Sequence, residues 1–115
     1  NGYIMEKSII GLVEKITLKG ENLDKEVDAR IDTGAQISSI DMKLATELKL
    51  GPVIRTKKIR SANGSMVRPI LEVEIKIDGH DIKEEFTLSN REHMDFPVLI
   101  GQNILKKGFL IDPSK

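Results

Sequence analysis

The stretch that decides the fold is RIDTGAQISSI, residues 30–40. It begins at the end of a predicted strand, residues 25–32, in which apolar and polar side chains alternate as they do in a half-buried strand. Asp32, Thr33 and Gly34 follow the last apolar side chain directly. Two interpretations are open: an ordinary β-turn, in which these residue types are common, or a loop that presents a catalytic carboxylate at a strand end.

The chemistry of the three residues fits both interpretations. A carboxylate that acts on water has to be fixed and exposed. A threonine hydroxyl can lock such a loop by hydrogen bonds, and glycine lets the backbone turn and come close to a substrate. The tripeptide alone favours the ordinary turn, so the rest of the chain has to decide.

The composition indicates one small β-rich domain. The chain has 115 residues, of which 39% are hydrophobic and 31% charged, as in globular domains. Aromatic residues make up only 3%, so the core must consist mainly of Ile, Leu and Val, which favours β structure. We predict a domain at residues 9–115 after an N-terminal extension at residues 1–8. The sequence leaves open whether residues 1–4 are a remnant upstream of a natural start at Met5.

Charge and residue usage argue against several functional classes. Eighteen basic and eighteen acidic residues cancel, so no general attraction to nucleic acid or to a membrane surface is expected. The absence of cysteine excludes disulfides, thiol catalysis and cysteine zinc sites. The apolar runs are too short for a membrane span, and no signal-peptide pattern is seen, so we expect a cytoplasmic protein. A nucleic-acid-binding barrel would need exposed aromatic residues for stacking, and the chain has one Tyr and three Phe.

Turn residues divide the chain into short strands with two hairpins, whose turns are expected at residues 62–64 and 78–79. We also predict a short helix that is capped by Asp41 and ended by residues 51–52, and one or two helical turns at residues 101–107. The predicted fold is mostly β, a single-domain closed β-barrel with one or two short helices. The predicted strands cover residues 9–18, 25–32, 36–40, 53–60, 65–70, 72–78, 82–88, 97–100 and 109–111.

A second motif, Leu-Ile-Gly at residues 99–101, ends a short apolar strand. Together with Asp-Thr-Gly at residues 32–34 it resembles the aspartic peptidases of the retropepsin type. In those proteins an Asp-Thr-Gly loop follows one strand, and a later apolar pair plus Gly packs beneath it. They also carry a β-hairpin flap over the cleft, and the hairpin around residues 62–64 stands at the corresponding place. The resemblance implies the acid-protease barrel and a peptidase activity.

Five blocks narrow this resemblance: IIGLVEKITL, RIDTGAQISSI, IRSANGSMVRPIL, NREHMDFPVLIGQNIL and FLIDPSK. In this order they look like the RimB-like family, also described as RimK-associated or ATP-dependent zinc proteases. Members often accompany ligases that add glutamate residues to proteins, and some are understood to trim such tails, which implies an acidic substrate. Two positions depart from the family: Asp41 stands where a His is common, and Gln102 where Arg is usual. Any role of that His and any charge contact of that Arg are therefore in question here.

The residues do not support the zinc in that family name. A catalytic zinc site needs about three His, Cys or carboxylate ligands, and the chain has only His80 and His93. There is also no glycine-rich phosphate loop for ATP. We expect no metal and no cofactor. His80, beside a hairpin turn, is expected to be solvated, and the role of His93 is left open.

One Asp-Thr-Gly is not enough for an aspartic peptidase, which needs two carboxylates that share one proton. The functional interpretation therefore requires a homodimer in which Asp32 meets its symmetry mate. In the implied arrangement Thr33 holds the two loops together, and the flap closes over the peptide and excludes water. The predicted site consists of the catalytic residues Asp32, Thr33 and Gly34, the substrate-binding residues Ala35, Arg60, Ser61, Ala62, Asn63, Gly64 and Arg68, and the loop-supporting residues Leu99, Ile100 and Gly101.

Local charge offers one further indication. Residues 51–71 carry five basic side chains and no acidic one in a chain that is neutral as a whole. They could protect an edge strand against aggregation, or they could form an electropositive cleft for an acidic peptide. Arg91 also has two interpretations: it pairs with a carboxylate near the active loop or across a dimer interface, or it faces water. A structural or interface role is slightly favoured.

Two functional hypotheses follow. The first is a homodimeric aspartic peptidase that cuts peptide or isopeptide-like bonds in acidic tails. The second is a non-catalytic module that holds a peptide in the same cleft. Intact residues 32–35 favour the enzyme, because a degenerate module would tolerate loss of the aspartate.

Overall fold

The structure, a computed structural model, describes residues 6–115 apart from the side chain of Ser61. Residues 1–5 lie outside it, and with them the question of a natural start at Met5. The described residues form nine strands and two short helices. Along the chain these are β1 (Ser8–Ile10), β2 (Val13–Lys19), β3 (Asp24–Ile31), β4 (Ser38–Asp41), α1 (Met42–Leu48), β5 (Val53–Ser61), β6 (Gly64–Ile77), β7 (His80–Ser89), β8 (Val98–Ile100), α2 (Gln102–Leu105) and β9 (Phe109–Ile111).

Six strands close into a barrel in the order β2-β3-β8-β4-β7-β6, and β6 pairs back with β2. The closing ladder joins Ile16 to Ile77 and Leu18 to Ile75, and all four side chains are buried. Branched aliphatic residues fill the interior because their shape suits a pleated surface that is covered on one side. The prediction of a mostly β closed barrel with one or two short helices is confirmed, and the structure has two. Within the described residues, neither helix is long and apolar enough to cross a membrane.

The prediction of one strand at residues 9–18 is wrong, because the chain bends at Gly11 and divides it into β1 and β2. The N–H of Gly11 donates to Oε1 of Glu14 at 2.7 Å, and a Cβ on Gly11 would lie 2.8 Å from the carbonyl oxygen of Lys115. The close approach of the C-terminal residues therefore requires glycine here. Beyond the bend, β1 leaves the barrel and pairs in parallel with β9.

The prediction of separate strands at residues 65–70 and 72–78 is also wrong, because β6 runs without a break for 14 residues. Its first part pairs with β5, and from Ile70 onward it pairs with β7. Pro69, which cannot donate to a ladder, lies where the described strand has a neighbour on one side only. The β5–β6 hairpin up to Pro69 extends beyond the barrel, and we call residues 53–69 the flap.

Helix α1 begins as the sequence predicts and ends earlier. The Asp41 carboxylate accepts hydrogen bonds from the N–H groups of Lys43 and Leu44 at 3.1 and 3.3 Å, which confirms the predicted N-cap. The helix ends at Leu48 because Lys49 adopts a left-handed conformation with φ 52°. The predicted stop at residues 51–52 therefore comes after the helix has already ended. This short helix packs beside β4 and β7, with Leu44, Ala45 and Leu48 buried.

Candidate active site

Asp32 is the first residue after β3, and the sheet fixes its backbone. Its N–H donates to the carbonyl of Ile100 at 2.9 Å, which extends the parallel pairing of β3 with β8. Its Oδ1 accepts the N–H of Gly34 at 2.9 Å, and its carbonyl accepts the N–H of Ala35 at 3.3 Å. Within the described part of the chain, Oδ2 has no hydrogen-bond partner. The half-buried carboxylate is thus held on one side and open on the other.

The beginning of α2 binds the same loop. The side-chain amide of Gln102 donates to the carbonyl of Thr33 at 2.6 Å, and its backbone N–H donates to the carbonyl of Ala35 at 2.7 Å. Where the family usually has Arg, this chain therefore makes a neutral hydrogen bond rather than a charge contact. Thr33 is exposed, and its hydroxyl makes no hydrogen bond with any described residue.

Gly101 lies beneath the loop with no space for a side chain. A Cβ on it would stand 2.8 Å from the carbonyl oxygen of Ala35 and 2.9 Å from the carbonyl group of Ile37. Ile100 is fully buried, and Leu99 is half-buried. The structure thus brings residues 32–35 and 99–101 together. The roles assigned to these two motifs from the sequence remain predictions.

A pair of polar side chains that sequence reasoning missed, buried Ser38 and half-buried Asn103, lies behind the two motifs. Ser38 Oγ accepts the N–H of Gly101 at 2.9 Å and donates to Oδ1 of Asn103 at 2.8 Å. Asn103 also donates from Nδ2 to the carbonyl of Glu85 at 2.9 Å. An Asn two residues after the second motif, within a predicted helical turn, was the available signal. Its contacts lie 65 and 18 residues away in sequence, so local patterns do not predict them.

A pocket of about 240 Å³ opens beside Asp32, between the end of β3 and the loop that leads into β8. Its lining residues are Arg30, Asp32, Arg91, Met94, Asp95, Phe96 and Leu99.

Arg91 is held in the wall of this pocket by two hydrogen bonds. Its backbone N–H donates to Oδ1 of Asp41 at 2.8 Å, and its side-chain Nε donates to the carbonyl of Phe96 at 3.0 Å. Burial lowers the pKa of Arg91, the negative charges of Asp41 and Asp32 act in the opposite direction, and the positive charge of Arg68 adds to the lowering. The interpretation that Arg91 simply faces water is therefore wrong, and the structural contact that the sequence slightly favoured is present.

The register of the flap separates its basic residues into two faces. Lys57 stands opposite Arg68 and Ile59 opposite Met66, so these four share one face. Lys57, Ile59 and Arg68 are half-buried, which makes this the inner face. Arg60 stands opposite Ser65 on the outer face. The structure therefore places Arg68, but not Arg60, on the inner face of the flap.

The tip of the flap is exposed at Ala62, Asn63 and Gly64. The backbone of Ser61 pairs with that of Gly64. Of the five basic residues in residues 51–71, Arg55 forms an ion pair with Glu85. The other four form no ion pair with a described carboxylate. The inner face of the flap therefore carries uncompensated positive charge at Lys57 and Arg68.

The expectation that His80 is solvated is wrong. Its Nε2 lies 2.6 Å from the hydroxyl of Ser8, and its ring contacts Phe109 edge-on at a centroid distance of 5.2 Å. The imidazole is therefore part of the packing between β1 and β9. His93 is exposed. Among residues 6–115, no three His, Asp or Glu side chains converge as metal ligands would.

Known proteins share parts of this sequence and most of this fold. Residues 42–115 match the family described as "RimB-like: Retropepsin-like aspartic endopeptidase RimB", a range that begins after the first motif. Two curated relatives, each named "Probable alpha-L-glutamate ligase", come from Shewanella halifaxensis and Shewanella pealeana. Each is 28% identical to this chain in an alignment that covers 77% of this chain and 25% of the relative. The chain thus spans about a quarter of the length of these relatives.

Two solved structures are similar in fold. The crystal structure of a protein of unknown function from Legionella pneumophila superimposes with a TM-score of 0.64 at 22% identity, over 94% of both chains. The solution structure of a simian foamy virus protease gives a TM-score of 0.63 at 18% identity, over 82% of this chain and 91% of the protease. At these identities the similarity establishes the fold and nothing further.

Proposed function

The chain belongs to the RimB-like family of retropepsin-like aspartic endopeptidases, and from this premise we propose that it is a homodimeric aspartic peptidase that trims acidic, glutamate-rich tails. The observation that carries the proposal is the environment of Asp32. A hydrogen bond to the carbonyl of Ile100 fixes its backbone at a strand end, the N–H of Gly34 holds Oδ1 of its carboxylate, and Oδ2 remains available for chemistry. An ordinary turn residue would need no such support from a second motif.

The proposed mechanism uses Asp32 from each of two chains. Two adjacent carboxylates share one proton, because both cannot ionise easily at close range. The ionised carboxylate takes a proton from water as the water oxygen attacks the scissile carbonyl carbon, and the protonated carboxyl donates a hydrogen bond to the carbonyl oxygen. The C–N bond of the tetrahedral intermediate then breaks as a proton passes to the leaving nitrogen. The exposed hydroxyl of Thr33 is available to bind the partner's loop.

Two observations support an acidic substrate. The inner face of the flap carries Lys57 and Arg68 without carboxylate partners in the described chain. The curated relatives are named as glutamate ligases, and a segment similar to this chain makes up about a quarter of each. A peptidase segment in a protein that adds glutamate would act on a product of the same chemistry.

We predict that Asp32→Asn removes turnover and leaves the fold intact. The neutral amide cannot accept the proton of water, so the rate should fall by at least about a thousandfold. Wild type and variant are incubated with a glutamate-tailed protein, with and without a chelator, and the intact mass is followed. Stepwise loss of glutamate-sized mass with wild type alone, unaffected by chelator, is the expected result.

Matching thermal unfolding of the two proteins controls for folding. Turnover by Asp32→Asn close to that of wild type contradicts the aspartyl mechanism. No mass loss with either protein, together with binding of the same tail, supports the non-catalytic binding module instead.

A further inference from the structure

Arg91 has a charge that no direct contact in the described chain neutralises. Its guanidinium makes one hydrogen bond, from Nε to the carbonyl of Phe96, and no described carboxylate forms a salt bridge with it. Asp41 accepts the backbone N–H of Arg91 and also caps α1, so its two oxygens are already engaged. The terminal nitrogens of the guanidinium therefore remain available in a half-buried position.

Half-burial removes part of the hydration of this charge, and the negative charges of Asp41 and Asp32 offset that loss only in part, without a salt bridge to the guanidinium. A charge that is partly removed from water loses hydration, and only an ionic partner with good hydrogen-bond geometry offsets the loss. The planar fork of a guanidinium matches a carboxylate with two parallel hydrogen bonds. The backbone hydrogen bond to Asp41 and the Nε hydrogen bond to Phe96 restrict the position of the guanidinium before a ligand binds. This restriction reduces the conformational entropy lost on binding.

The pocket beside Arg91 has the size and lining for one acidic side chain. Its volume of about 240 Å³ is below the range of about 300 to 1,000 Å³ that is usual for a whole small ligand. Phe96 and Leu99 supply apolar walls for an aliphatic stem, and Arg30 adds a second cation. Asp95 also lines the pocket but is exposed and forms no salt bridge with a described residue.

We propose that Arg91 determines specificity by binding the side-chain carboxylate of the substrate residue that flanks the scissile bond. Asp32 lines the same pocket, so a side chain that enters it belongs to a residue beside the attacked carbonyl. Arg68, on the inner face of the flap, adds positive charge to the same site. This inference rests on the proposed peptidase function and identifies the residue that determines which substrate side chain is accepted.

The test compares two capped peptides that are identical except for Glu or Gln at the residue before the cleaved bond. Wild type should cleave the Glu peptide with a kcat/KM about tenfold to a hundredfold higher, the range expected for a charged hydrogen-bonded pair. Arg91→Gln should bring the two values within about threefold, and Arg91→Lys should restore part of the preference. The ratio of kcat/KM for the Glu peptide to that for the Gln peptide does not depend on the amount of folded protein. A purely structural role of Arg91 would therefore leave this ratio unchanged.

Lys43→Gln is the matched control. Lys43 forms an ion pair with Glu92, its side chain is 74% exposed, and it does not line the pocket, so Lys43→Gln removes one positive charge as Arg91→Gln does but leaves the pocket walls unchanged. The Glu preference of this variant should equal that of wild type. If Arg91→Gln also keeps the full Glu preference, the inference is overturned while the peptidase function stands.

A binding measurement separates failure of the inference from failure of the peptidase function. Capped tetraglutamate is titrated calorimetrically into Asp32→Asn and into the double variant with Arg91→Gln. Binding that is at least about tenfold weaker in the double variant supports the role of Arg91. If wild type also fails to hydrolyse the peptide, the peptidase function is contradicted while the role of Arg91 stands. Equal binding to both proteins, or binding to neither, overturns the inference.

Discussion

At the scale of single residues, Gly101 is where the two motifs touch. A side chain on it would collide with the backbone of Ala35 and Ile37, and backbone atoms cannot move aside as a flexible side chain can. The glycine is therefore required by close packing, and its substitution should affect both the stability of the barrel and the position of the Asp32 loop.

We predict that Gly101→Ala lowers the free energy of unfolding by about 1 to 3 kcal/mol, as overpacking of a close contact does. It should also reduce peptidase activity, because the loop that carries Asp32 is displaced. Urea denaturation measures the first effect and peptide hydrolysis the second.

Gly34→Ala is the control for stability. Its Cβ would meet only Oδ1 of Asp32, at 3.3 Å, so unfolding should change by no more than about 0.5 kcal/mol. Equal stability of the two variants would contradict this account of Gly101.

The motifs at residues 32–34 and 99–101 could be found from the sequence because their residue types and order are unusual together. The contacts of Gln102 and Arg91 could not, since the carbonyl of Thr33 is 69 residues from Gln102 in sequence and the carbonyl of Phe96 is oriented by an irregular loop. The distinction between Arg60 and Arg68 required the register of the flap, which determines the face of each side chain.

At the scale of elements, the turn at residues 78–79 and the cap at Asp41 were predictable because each follows from a local conformational preference. The φ angles of Asp78 and Gly79 are both positive, as a tight hairpin turn requires. The continuity of β6 was not predictable, because its change of partner from β5 to β7 leaves no mark in the local pattern. The break at Gly11 was missed for a similar reason, since the close contact that requires glycine there comes from Lys115, at the other end of the chain.

The ion pair of Glu84 with Lys107 links β7 to the segment after α2, with Nζ and Oε2 2.7 Å apart. Burial alone would raise the pKa of Glu84, but the hydrogen bond and charge of Lys107 and the backbone N–H of Glu85 outweigh it, so the pKa is lowered below its usual 4.5. A lowered pKa in the folded state means that the ionised carboxylate stabilises the fold above the unfolded-state pKa. This stabilisation is lost as the pH falls through the lower pKa of the folded state.

We therefore predict that the stability difference between wild type and Glu84→Gln is largest at neutral pH and shrinks as the pH falls below about 4.5. Urea denaturation at a series of pH values from neutral to acidic measures it. Lys107→Gln should remove the same pH-dependent part, and the double variant should lose little more than either single variant. A difference that is constant over the pH series would show that the pair does not act through ionisation of Glu84.

At the scale of the whole molecule, the proposed mechanism makes catalysis a property of two chains, because each chain supplies a single Asp32. We predict that wild-type chains lose activity when they are mixed with Asp32→Asn chains, because a mixed dimer has only one ionisable carboxylate of the pair. When wild-type and Asp32→Asn chains are mixed in equal amounts and exchange randomly between dimers, about a quarter of the dimers consist of two wild-type chains. Activity per wild-type chain should then fall to about half of its value without the variant.

An equal amount of an inert protein is the control for that mixing experiment and should leave the activity per wild-type chain unchanged. Sedimentation at the assay concentration establishes whether dimers are present. Full activity per wild-type chain in the mixture would mean that one chain suffices, which contradicts the shared-carboxylate mechanism. The closed barrel itself was predictable at this scale, because alternation and turn positions constrain it, whereas assembly depends on surfaces that alternation does not describe.

Because strand β6 is uninterrupted, the number of residues inserted into it or deleted from it determines which side chains of the flap point inward. Side chains along a strand alternate between faces, and the barrel half of β6 determines which residues of the flap half point inward. One residue gained or lost between Arg68 and Leu71 would exchange the two faces of that arm, so that Arg68 would point away and its neighbour inward. Two residues would restore the faces and only change the reach of the flap. Length changes compatible with the same cleft therefore come in even numbers, whatever their composition.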